Sequence, residues 1–385
     1  MSRLGLVALL WVGLGAGCGP DSVLEFAGTP TCPKYPTMEA ELPPFLLINA
    51  YFLQEEAARA ARRGEVRSLR VEETFTKARA LGATVVRTWG FNDDPGRAGD
   101  TAIQTARLEY DELSLRGLDL VLESATRHGL RLILPLGNFW DAYGGARQYV
   151  AWAGLDSPVE GDPRFFTEPV VRDHYLEHVG RLLDRVSAVD GVRYGEHPSV
   201  LAWELLNEAR IDSPRTAQLT GWAEAVAQRI RAHAPTHLIG AGNEGEGAAA
   251  FALLAARGVD AASIHLFPEA WGWDPGKIAR EGAEWIIRQA EAARGAGRPL
   301  WMGEFGLRNS GPLGLQERRA IYRSWLDCAR RSGLAGAGPW MFAYDERPDA
   351  WDDYTFYLRD GTAPGDPENR YADLLIEAAG AWKGP

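Results

Sequence analysis

The sequence predicts an α/β protein of the (β/α)8, or TIM-barrel, class, folded as a single domain over residues 45 to 383. Two observations carry that prediction. Eight short apolar runs alternate with longer stretches whose apolar residues recur three and four apart, the pattern of buried parallel strands between amphipathic helices. Polar and ionisable residues then collect at the C-terminal ends of the runs, where a parallel barrel gathers its loops. An open doubly wound sheet would explain the alternation but gives no reason for eight repeats.

In chain order the runs are FLLINAYFL (45 to 53), TVVRTWG (84 to 90), LRLILPLGN (130 to 138), VLAWELLNE (200 to 208), HLIGAGNE (237 to 244), ASIHLF (262 to 267), PLWMGEFG (299 to 306) and GPWMFAY (338 to 344). Helical periodicity is strongest over 115 to 128, 170 to 187, 217 to 233, 276 to 294 and 316 to 331. No GxGxxG or GxxxxGK segment follows a run, so nucleotide binding has no support. Ahead of the first run, residues 19 to 44 are rich in Pro, Thr and Gly and read as a linker. The opening MSRLGLVALLWVGLGAGC (1 to 18) has a basic start, an apolar stretch too short to span a bilayer, and small residues before Cys18. It reads as a secretory signal of lipoprotein type, with lipidated Cys18 as a membrane anchor, or as an ordinary signal cleaved near Ala16 to Cys18. Both readings place the chain outside the cytoplasm.

With 46% apolar residues the chain can fill a large core. Its 41 basic against 52 acidic residues, net charge -11, would repel a phosphate backbone, so nucleic acid is not an expected partner. Beyond Cys18 the cysteines are Cys32 and Cys328, free to pair or to stay apart. No CxxC or His/Cys cluster suggests a metal site, and no cofactor is expected. The chain is expected to act as a monomer.

The strand ends supply the chemistry. Arg87 lies in the second run, Asn138 ends the third, Asn207 and Glu208 end the fourth, and Glu244 ends the fifth; His265 falls in the sixth and Glu304 in the seventh. Glu208 and Glu304 should face each other across the mouth. Paired carboxylates in a cleft suit glycoside hydrolysis, one protonating the departing oxygen and the other attacking the sugar or activating water. Trp89, Trp140, Trp271 and Trp340 follow or end strands and can stack on pyranose faces. Glu204 shares a strand face with Glu208 by the period of two; lying deeper, it reads as a structural ion pair with Arg87.

The strand ending WELLNEAR, followed about 95 residues later by GEFG, resembles glycoside hydrolase family 5. VVRTWGFND (85 to 93), NFWDAYGGARQYVAWAG (138 to 154), HPSVLAWELLNEAR (197 to 210) and HLFPEAWGW (265 to 273) are similar to segments of its endo-β-1,4-mannanase branch, over residues 45 to 380. The resemblance implies a retaining enzyme cutting β-1,4-mannosidic bonds in mannan, glucomannan or galactomannan. By the same resemblance Glu208 is the acid/base, Glu304 the nucleophile and Arg87 its partner. Asn207 binds a sugar hydroxyl, His265 neighbours both carboxylates, and Trp340 is the floor beneath the sugar. Two positions depart from the pattern: Ala209 replaces a proline, and Phe267 replaces a tyrosine whose hydroxyl donates to the nucleophile.

From this follow the expectations of carboxyls about 5 to 5.5 Å apart, a raised pKa for Glu208, and Arg87 or another tyrosine compensating for Phe267. A β-1,4-glucanase, an exo-acting β-mannosidase and a non-catalytic carbohydrate-binding surface lipoprotein are the alternatives. The exo reading needs a wall at one end of the cleft, and the long segments 91 to 111, 139 to 168 and 344 to 366 are where it would lie.

Overall fold

The computed structural model describes residues 30–35, 42–96, 99–245, 247–344 and 352–382. The signal, Cys18 and part of the 344 to 366 segment lie outside them. Eight parallel strands form the barrel: β1 (Phe45–Asn49), β2 (Val85–Arg87), β3 (Arg131–Pro135), β4 (Val200–Glu204), β5 (Leu238–Gly240), β6 (Ala262–Leu266), β7 (Leu300–Phe305) and β8 (Gly336–Ala337). Their order is β5-β4-β3-β2-β1-β8-β7-β6, and a bridge between Gly240 and Ala261 joins the two ends of the sheet. Helices Glu112–His128, Pro169–Asp184, Thr216–His233, Ile278–Gly295 and Leu315–Arg331 lie where the periodicity predicts them.

Side-chain alternation divides the core in two. Outward residues such as Leu46, Ile48, Val86, Leu132 and Leu134 meet the helices, whereas Phe45, Leu47, Val85, Ile133, Ala202 and Trp301 fill the barrel's base. Burying such side chains is worth about 1.5–3 kcal/mol each. Two residues further along β1, β2 and β4 the same face carries Asn49, Arg87 and Glu204, all buried. The barrel is therefore apolar at its base and polar towards its mouth.

Two expectations need correction. The eighth run is not the eighth strand: the ladder is Gly336–Ala337, while Met341 and Phe342 are apolar because they are buried beyond it. Within the segment 91 to 111, Gln104–Ala106 and Glu109–Tyr110 pair antiparallel. Part of the presumed linker is fastened down. Cys32 is disulfide-bonded to Cys328 with Cα atoms 5.3 Å apart; Tyr35 N donates to Arg331 O at 2.7 Å, and Arg294 lies over the Tyr35 ring. These attachments sit at the C-terminal ends of helices Ile278–Gly295 and Leu315–Arg331, which return the chain to the base, the end opposite the strand termini. No helix among the described residues is long and apolar enough to cross a membrane.

Candidate active site

Arg87 organises the floor of the mouth. Its guanidinium is buried and donates from Nε to Glu204 at 2.9 Å, from Nη1 to Glu304 at 2.5 Å and from Nη2 to Asn207 at 2.7 Å. A buried cation needs such partners. Glu204, with no exposed side-chain surface, also accepts from the Trp301 indole at 3.3 Å, so it is the structural ion pair read from the sequence. Asn207 donates in turn to Asn138 Oδ1 at 3.0 Å. Asn138 holds the next loop by donating to Ala142 O and accepting from Trp140 N.

The step from Asn207 to Glu208 leaves the strand. β4 ends at Glu204, so alternation does not reach Glu208. Its position comes from a left-handed backbone, φ +54°, and from donation of its N–H to Gly242 O at 2.7 Å. A non-glycine residue held there costs about 1–3 kcal/mol, a strain that gathers at functional sites. The Glu208 carboxylate accepts from Trp140 Nε1 and from His265 Nδ1, both at 2.6 Å. His265, fully buried, also lies 3.6 Å from Glu304. A register shift after Ile264 pairs it with Glu304, and Gly303 leaves it room, since a Cβ there would come within 3.1 Å of Nε2. One ligand atom from each of Glu208, His265 and Glu304 lies within 4.8 Å of the others. That spacing could also seat a cation, but Arg87 already supplies positive charge at Glu304.

The charge balance differs from the expectation. Burial pushes Glu208 up, but the His265 hydrogen bond and charge, with Trp140 and Arg210, hold it below the usual glutamate value. Burial pushes Glu304 up to about 7; His265 and Arg87 pull against this, and Glu208 adds to it. His265 is raised, because the two carboxylates outweigh the burial that would lower it. Glu208 has two donors, while Glu304 shares one guanidinium with Glu204. The shifts therefore run opposite to the expectation, with Glu208 lowered and Glu304 raised. No tyrosine hydroxyl donates to Glu304 among the described residues: Phe267 packs edge-on against Tyr354, 5.3 Å between centroids, and Arg308 donates to the Tyr354 hydroxyl. Among the described residues Glu304 accepts from Arg87, the partner already expected for it.

Aromatic rings line two sides. On one, Trp340 stacks on Tyr51, 5.2 Å apart and 8° from parallel, and donates to Asp352. Trp89 packs behind both, only 4% exposed, with Arg87 over its ring. On the other, Trp271 donates to Glu244 at 3.0 Å. Arg210 pairs with Glu244 and lies over Trp140. Burial raises Glu244, and nearby Glu208 adds to this. Tyr51, Tyr143, Tyr344 and Arg210 were not singled out in the sequence. Tyr51 was within reach, for it too follows a strand end; Tyr143 packs edge-on against it and bonds Glu55 of the helix after β1, whereas Tyr344 packs on Phe52 and bonds Glu56.

Barrel, carboxylate pair and aromatic walls together define a glycosidase-type barrel enzyme. The chain belongs to glycoside hydrolase family 5, since the family model described as GH family 5 beta-mannosidase-like matches residues 38–373. It is 35% identical over 332 residues to mannan endo-1,4-beta-mannosidase 3 of Oryza sativa subsp. japonica, covering 78% of this chain and 69% of that protein. With mannan endo-1,4-beta-mannosidase 8 of the same plant it shares 34% over 331 residues, 77% and 85% of the two chains. The crystal structure of the endo-beta-1,4-mannanase from Thermotoga petrophila superposes with a TM-score of 0.77 at 27% identity, covering 90% of this chain and 78% of that one.

Proposed function

We infer that the protein is an endo-acting, retaining β-1,4-mannanase that cleaves mannan, glucomannan or galactomannan. One observation carries the reading: two buried carboxyls, Glu208 and Glu304, meet at the mouth within 4.8 Å with His265 between them, in a chain whose relatives are mannan endo-1,4-beta-mannosidases. The short spacing favours a retaining enzyme over an inverting one, which leaves about 6.5–9.5 Å for water.

Glu304, held by Arg87, attacks the anomeric carbon. Glu208 donates to the leaving oxygen, and the C–O bond breaks to leave a glycosyl-enzyme. Water, deprotonated by Glu208, then releases the sugar. The reaction needs its proton on Glu208, which the His265 and Trp140 hydrogen bonds oppose. A glycosidic oxygen that accepts a hydrogen bond from Glu208 favours its protonated form. Trp340 with Tyr51 offers the stacking surface, and Asn207 the hydroxyl contact.

The test is reducing-end release from mannan, glucomannan and soluble cellulose, with Glu304→Ala alongside. Mannan cleavage into oligosaccharides that disappears in the variant supports the reading. Cellulose cleavage alone moves it to a glucanase, and mannose as sole product to an exo-enzyme. The absence of a tyrosine donor at Glu304 favours the non-catalytic reading, which predicts mannan binding unchanged by Glu304→Ala and no turnover. Capture with a 2-fluoro-mannosyl reagent should label Glu304; label on Glu208 reverses the assignment. For location, the apolar opening before Cys18 supports export with lipid anchoring of a monomer, and fatty-acid labelling lost in Cys18→Ser checks it.

A further inference from the structure

Outside the carboxyl pair the molecule contains a second buried polar group. Asp93, Gln104, Tyr149 and His174 are each 1% exposed or less. They come from four segments: the stretch after β2, the hairpin of 104–110, helix Gly145–Trp152 and helix Pro169–Asp184. Tyr149 donates its hydroxyl to Asp93 Oδ2 at 2.8 Å, and Gln104 Nε2 reaches Asp93 Oδ1 at 3.4 Å and Tyr149 at 3.2 Å. His174 Nε2 donates to Gln104 Oε1 at 2.8 Å. No ion pair meets Asp93 among the described residues. Its partners are neutral donors, an expensive place for a carboxyl with no direct part in the chemistry proposed above.

The same residue grips the neighbouring loop by its backbone. Asp93 N donates to Tyr143 O at 2.9 Å, and Gly144, at φ +103°, packs so closely that a Cβ would lie 2.4 Å from Asp93 O. Gly145 in turn lies under Trp140, where a Cβ would meet its carbonyl at 1.8 Å. Asp93 thus holds the segment 140–149 at Tyr143, Gly144 and Tyr149. At one end Trp140 gives its indole N–H to Glu208.

We propose that Asp93 is a positioning residue for Glu208, acting through the 140–149 loop to aim the Trp140 indole at the Glu208 carboxylate. The titratable groups around Asp93 are Tyr149, Tyr175 and Tyr110, with His174 and His178 from the helix beneath; Arg107 and Arg181 act from the rim. Both histidines are lowered by burial, so they stay neutral near pH 7 and lend Asp93 no charge.

The proposal rests on Glu208 as acid/base, but its test needs no substrate. In 15N-tryptophan spectra, the indole signal missing from Trp140→Phe belongs to Trp140 and should follow the Glu208 titration. Loss of a donor to a carboxylate raises its pKa. Asp93→Asn and Tyr149→Phe should therefore both move that midpoint up, by about half to one pH unit, and the alkaline limit of mannan turnover, which protonated Glu208 sets, should shift up with it while KM stays within about twofold. Tyr149→Phe removes one hydroxyl and serves if Asp93→Asn fails to fold. A midpoint unchanged in both variants, or an indole signal that does not titrate in the native protein, overturns the proposal. An intact shift without mannan turnover overturns the activity reading alone.

Discussion

Burial governs Glu304, and Arg87, one positive charge facing two carboxylates, offsets it only in part. Glutamate ordinarily ionises near 4.5, and burial raises Glu304 to about 7. A group whose folded pKa lies above its unfolded value favours folding fully below the unfolded pKa and loses that contribution as pH rises towards the folded one. Stability should therefore fall between about pH 4.5 and 7 on account of this group. Glu304→Gln, which cannot ionise, is expected to raise the melting temperature at pH 7.5 relative to the native protein and to change it little at pH 4.5. An equal effect at both would refute the charge argument. Phe267→Tyr addresses the same carboxyl: a hydroxyl donated to Glu304 would favour its ionised form by about 1.5–3 kcal/mol. The pH limit of activity set by Glu304 should move down by about one to two units.

The elements place these side chains by means that residue types do not reveal. Glu208 is aimed by a left-handed residue after β4 and by its hydrogen bond to Gly242 O. Gly242 itself has φ +70°, and a Cβ there would sit 2.1 Å from Leu206 O. Gly242→Ala should cost about 1–3 kcal/mol and lower mannan turnover, because the displaced turn is the one that Glu208 donates to. Thermal unfolding and kcat measured together would show both. A variant with lowered stability and native kcat would separate the turn from the site. The long helices of the outer ring were legible because their apolar faces repeat over four or five turns. β8 was not, since two paired residues carry too little pattern and the buried run beside them carries more.

Across the whole molecule, the disulfide and the mouth lie at opposite ends of the barrel. Cys32 and Cys328 close a loop over most of the barrel, their separation being 296 of the chain's 385 residues. Removing the bond with Cys32→Ser and Cys328→Ser together is expected to lower unfolding free energy by about 2–4 kcal/mol while leaving mannan turnover near native. Denaturant unfolding with and without dithiothreitol checks this: the native protein should become as unstable as the variant on reduction, and the variant should not respond.

Read by itself, the sequence determined seven of the eight strands in chain order, the outer helices and the positions of Arg87, Asn207, Glu208, His265 and Glu304 near strand ends. It could do so because strand burial and helix amphipathicity are local and periodic, and because a parallel barrel sends every strand end to one face. Tertiary structure alone decided that Glu208 is lowered and Glu304 raised, that Trp140 and His265 both donate to Glu208, that Asp93 grips the Trp140 loop, and that Cys32 meets Cys328. Each of these depends on contacts between residues tens to hundreds of positions apart. Hydrogen-bond geometry and desolvation act at a few ångströms, a scale that spacing along the chain does not encode.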